Sequence, residues 1–63
     1  MSEIDLDGLR FRFDPVAAYR GVFHVKVLSG DLIIPTNKIV SAELLHDPEP
    51  LRSWLRQQFG TKP

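Results

Sequence analysis

The 63-residue sequence contains no cysteine, which excludes a disulfide framework and every thiolate metal site. The other usual staple of a mini-domain is unsupported as well. The two histidines form no cluster with aspartate or glutamate at ligand spacing, so no metal and no cofactor is expected. No apolar run approaches the ~20 residues of a membrane helix. The opening MSEIDLDG has neither a basic start nor an apolar stretch, so no signal peptide and no membrane contact are expected, and a cytoplasmic location follows by default. An excess of one charge is missing too, because eight basic residues offset eight acidic ones. Bulk electrostatic attraction to nucleic acid is therefore not indicated.

Catalytic patterns are equally scarce. The four glycines, at positions 8, 21, 30 and 60, are punctuation between segments rather than a phosphate-binding loop. Ser29 and Ser41 stand outside any nucleophile-elbow pattern, and Ser29-Gly30-Asp31 reads as a turn. The carboxylates are scattered, with no pair set in an apolar run that would raise one pKa. No catalytic residue is assigned, and the expectation is a protein that is not an enzyme. A chain this short also buries only about 60% of its unfolded surface, so its stability margin is thin and self-association is one remedy.

What is present is alternation. Leu9, Phe11 and Phe13 alternate with Arg10, Arg12 and Asp14, which predicts a strand with one apolar and one charged face. Asp14-Pro15 ends it, and Asp14, Pro15 and Gly21 bracket either one helical turn over residues 16–20 or a plain loop. From Val22 the alternation resumes, with Phe23, Val25 and Val27 on one side and His24 and Lys26 on the other. Ser29-Gly30-Asp31 then predicts a hairpin turn before Leu32-Ile33-Ile34. A two-residue loop sets Val25 and Val27 on the face of Leu32 and Ile34, whereas a three-residue loop sets Lys26 there, so the pattern favours two. Pro35-Thr36-Asn37-Lys38 reads as a second turn. Residues 39–45 carry both strand and helix signals, and a strand with Val40, Ala42 and Leu44 inward is the expectation.

The clearest helix follows. Asp47 stands at the N-cap position and Pro48 at the first helical one. Leu51, Trp54, Leu55 and Phe59 form one stripe, and Gly60 closes the segment, which predicts a helix over residues 47–59. The first seven residues, with Glu3, Asp5 and Asp7, are either an acidic arm or an edge strand. The whole chain, residues 1–63, thus reads as one α+β domain. Its sheet, within residues 9–45, is a small curled antiparallel meander of about four strands, covered on one face by the C-terminal amphipathic helix. A closed five-stranded barrel using residues 3–6 as its fifth strand is the alternative.

Two surfaces follow from the same parity. Val22, Leu28, Ile33 and Ile39 fall on the uncovered sheet face, more branched apolar surface than a small monomer usually leaves in water. They are the candidate interaction surface of a binding module that acts as a homo-oligomer or as a regulatory subunit of a larger protein partner. Arg10, Arg12, His24 and Lys26 share that face and form the candidate nucleic-acid face of an alternative, a nucleic-acid-binding small β domain. The phenylalanines have the opposite parity from those cations, so this face lacks a stacking platform for bases.

Overall fold

Asp7 and Gly8 both take positive φ, 51° and 84°, in the computed structural model of the chain, which describes residues 2–61. Two consecutive positive φ values make the tight turn whose twist matches paired strands, and Asp-Gly is among the few pairs that tolerate it. The turn joins β1 (Ser2–Leu6) to β2 (Leu9–Pro15), with Leu6 opposite Leu9 and Ile4 opposite Phe11. The first residues are therefore an edge strand and not a free arm.

β2 stops at Pro15, and residues 16–21 form a loop with no helical turn. The amide of Val16 donates across the loop mouth to the carbonyl of Val22 at 3.1 Å, and the carboxylate of Asp14 is held by Arg12 and Lys26 and so does not cap a helix. β3 (Val22–Ser29) and β4 (Leu32–Ser41) are joined by Gly30-Asp31, with Ser29 opposite Leu32, the two-residue loop that parity favours. Gly30 alone has positive φ there, 59°, as a turn with glycine at its first central position requires.

Residues 35–38 are not a turn. β4 runs through them with a bulge opposite Val25: His24 pairs with Ile39, yet Lys26 already pairs with Pro35. The slip is two residues, an even number, so side chains keep their faces across it. Thr36 fills the gap in the ladder. Its hydroxyl donates to the carbonyl of Val25 at 2.7 Å and accepts the amide of Lys38 at 3.1 Å. A proline without an N–H is tolerated because β4 lies at the sheet edge.

The segment expected as a strand over residues 39–45 divides at Ser41. The Ser41 hydroxyl accepts the amide of Leu44 at 3.2 Å, capping α1 (Ala42–Leu45). α2 (Pro48–Phe59) follows, with two prolines in its first turn and Gly60 at φ 64° closing it. Asp47 precedes it, but its side chain makes no capping bond.

The sheet order is β1-β2-β3-β4, so the sheet is open, with β1 and β4 at its edges, and the barrel alternative is excluded. Leu6, Phe11, Phe13, Val25, Val40, Leu51 and Leu55 form the buried core, with Phe23, Val27, Trp54 and Phe59 packed against it. The helix lies toward the β1–β2 side: the ring of Phe59 meets that of Phe11 at 5.0 Å between centroids, and Arg56 reaches Asp7. Twelve helical residues span about 18 Å, too little to cover the whole sheet. Leu32 and Ile34 share the parity of the core yet remain exposed at the far corner, and Leu9 does so beside the first turn.

Two stability changes are expected. Leu55 is fully buried, so Leu55→Ala should cost about 2–5 kcal/mol. Gly8→Ala meets no atom within 4 Å, so its cost should be conformational alone, about 1 kcal/mol for a left-handed alanine. Urea unfolding followed by circular dichroism checks both, and an unchanged midpoint for Gly8→Ala would show that the turn relaxes freely.

Candidate functional site

The outer face of the sheet collects charge by alternation. Glu3 and Asp5 on β1 stand opposite Arg12 and Arg10 on β2, and Arg12 and Asp14 stand opposite Lys26 and His24 on β3. The four residues of the candidate nucleic-acid face are therefore brought together, but carboxylates are interleaved among them. Arg10 meets Asp5 at 2.9 Å and Glu3 at 3.9 Å. Arg12 and Lys26 share Asp14 at 2.9 and 2.7 Å. His24 turns a ring nitrogen to the carbonyl of Thr36. The hydrogen bond from Lys26, reinforced by that from Arg12, holds the Asp14 carboxyl below its ordinary range, and Arg10 does the same for Asp5. Three cations and three carboxylates make a neutral ladder rather than a basic strip.

The apolar candidates gather on the other half of that face. Leu28 lies opposite Ile33, His24 opposite Ile39 and Val22 opposite Ser41. Val22 and Leu28 are half-buried on β3, whereas Ile33 and Ile39 on β4 are 51% and 59% exposed. Two residues that parity assigned to the core join them: Leu32 at 67% and Ile34 at 46% exposure. The apolar patch is thus a property of the β4 edge, on both of its faces. Pairing parity alone could not reveal this, because it depends on where the helix ends.

At the opposite edge a cavity of about 290 Å³ opens beside β1, lined by Glu3, Ile4, Phe13, Leu45, His46, Pro48 and Leu51. No part of the expected sites includes it. Its floor comes from the β1–β2 hairpin and the α1–α2 junction, which are far apart in sequence.

One further ion pair has its carboxylate shielded from water and its guanidinium partly exposed. Arg56 donates to the two carboxylate oxygens of Asp7 at 3.0 and 3.2 Å, and the Asp7 side chain is only 5% exposed. These hydrogen bonds lower the Asp7 pKa from its ordinary value of 3.8, against the opposing effect of desolvation.

Among the described residues no group of three or more histidine, aspartate or glutamate side chains is placed to hold a metal ion. No helix among them is long and apolar enough to cross a membrane. No protein family, curated protein or solved structure matches this chain.

The pH dependence follows from the lowered carboxylates. A carboxyl whose folded pKa is depressed adds stability that is complete above its unfolded pKa and is lost as pH falls through the folded one. The urea midpoint should therefore fall as pH drops below about 4. Asp7→Asn keeps a residue suited to left-handed backbone and removes the charge, so its acid limb should be flatter than that of the parent. Parallel curves from urea titrations across this range would show that the Arg56 pair contributes nothing.

Proposed function

We propose that this chain is a small, non-enzymatic interaction module that works as a homo-oligomer, its copies joined through the free edge of β4. One observation carries this: Leu32, Ile33, Ile34 and Ile39 are between 46% and 67% exposed on a strand that has a sheet neighbour on one side only. A free edge with exposed branched apolar residues is a template for pairing with another strand. A second copy suits it because, when two such edges meet about a two-fold axis, apolar side chains on both strand faces gain apolar cross-strand neighbours that partly cover them. The zero net charge of the chain sets no general repulsion between copies. Pro35 and the bulge at residues 36–38 interrupt the edge, which favours a short closed pair over an extending fibre.

Magnitude supports a weak rather than a tight contact. Covering a half-exposed isoleucine or leucine is worth roughly 1 kcal/mol. Eight such side chains in a two-fold contact then offset only the lower part of the ~4–15 kcal/mol cost of association. Edge hydrogen bonds supply the remainder. The nucleic-acid alternative has less support, because Arg10, Arg12 and Lys26 are each paired with a carboxylate, and counterion release needs cations free to meet phosphates.

Sedimentation equilibrium across the micromolar range tests the proposal. The parent chain should show reversible dimer formation. Ile33→Lys combined with Ile39→Lys should give a monomer whose helix content and urea midpoint match those of the parent at concentrations too dilute for dimer, since both positions are exposed. A parent that stays monomeric throughout would overturn it.

A further inference from the structure

The β4 edge is apolar, whereas β1 ends the other side of the sheet with different chemistry. Among the described residues the backbone of β1 pairs with β2 alone, so its outer edge offers a row of free amides and carbonyls. Two depressions flank this edge. The apolar cavity of about 290 Å³ lies on the core side, beside Ile4. A smaller one of about 180 Å³, lined by Glu3, Ile4, Asp5 and Arg10, lies on the outer side. The larger is at the lower limit of small-ligand sites and suits one large side chain.

Charge defines the occupant further. Glu3 and Asp5 project to the outer side with only Arg10 between them, because Arg12 is committed to Asp14. Two carboxylates against one guanidinium leave the β1 edge one negative charge in excess, balanced only farther across the face, where Arg12 and Lys26 share Asp14. β2 already displays the sequence that β1 accepts: Arg12 opposite Glu3, Phe11 opposite Ile4 and Arg10 opposite Asp5. We propose that the free edge of β1 binds an extended segment of a partner protein in which basic, apolar and basic residues alternate, the apolar side chain filling the cavity beside Ile4 and the basic ones meeting Glu3 and Asp5. This is β-strand addition, in which backbone bonds give affinity and alternate side chains give selectivity. A second copy cannot supply the segment from its own Arg10-Phe11-Arg12, since β2 has a strand on each side. The inference stands apart from the β4 contact, which uses the opposite edge.

The test is a titration of the full, isotopically labelled chain with the blocked peptide TRFRT, followed by backbone amide shifts. The comparison peptide TFRFT has the same alternation in reversed parity. TRFRT should shift β1 amides together with those of Leu45, His46 and Leu51, and should bind more tightly than TFRFT. Cross-strand charge pairs are worth up to about 1 kcal/mol, so Glu3→Lys should weaken TRFRT binding by up to about 5-fold. Leu45→Trp, which fills the cavity, should remove the preference for TRFRT over TFRFT while leaving charge unchanged. Shifts confined to β4, equal binding of the two peptides, or no shift at millimolar peptide would each overturn the proposal, whereas dimer formation through Ile33 and Ile39 is read separately from sedimentation of the chain without peptide.

Discussion

The contact on which the rest of the molecule depends joins its first turn to its last helix. Asp7, in left-handed backbone, receives two hydrogen bonds from Arg56, 49 residues away in sequence. The turn sets the direction of the carboxylate, and the carboxylate fastens the C-terminal end of α2 where the burial of Leu51 and Leu55 seats it. With Phe59 against Phe11, that end is held over β1 and β2. A helix placed there buries Phe11, Phe13, Val25 and Leu55 and leaves the corner at Leu32 and Ile34 uncovered. The pair links backbone strain, core burial and surface exposure in one geometry.

The two edges of the open sheet differ for that reason. At β1 the helix and the α1–α2 junction come close without filling the space, and the cavity beside Ile4 results. At the start of β4 they do not reach, and Leu32 and Ile34 on the helix-facing side meet water as the outward Ile33 and Ile39 do. Between the edges, the outer face is a ladder of alternating charges whose members satisfy one another, with Asp14 shared by Arg12 and Lys26. A sheet with a self-neutralised face and two chemically distinct edges is suited to contacts made strand to strand.

Much of the architecture was legible in the amino-acid order. The alternation from Leu9 to Asp14 and from Val22 to Val27, the two-residue loop at Gly30-Asp31 and the stripe Leu51, Trp54, Leu55 and Phe59 all appear in the structure as period and parity imply. Asp7-Gly8 carried an equally strong hairpin signal that settles β1 as a strand; its weight is lost if the acidic residues around it are considered as charge alone. The strand through residues 35–38 was less accessible, since Pro35 and Asn37 are turn formers by local preference. The hydroxyl of Thr36, bonded to Val25 on the neighbouring strand, and the His24 ring nitrogen at the Thr36 carbonyl compensate the broken ladder.

Local order therefore determined which residues alternate, where chain reversals with positive φ fall, and which stripe of the last helix is apolar, because these depend on steric limits and periodicity within a few residues. Tertiary structure alone decided how far the helix reaches across the sheet. That reach rests on Leu51, Leu55 and Phe59 packing on the core, with Arg56 fastened to Asp7, and on a helix shorter than the face it covers. From it follow the exposure of Leu32 and Ile34 and the cavity beside β1, while strand register sets Arg10 against Asp5 and Lys26 against Asp14.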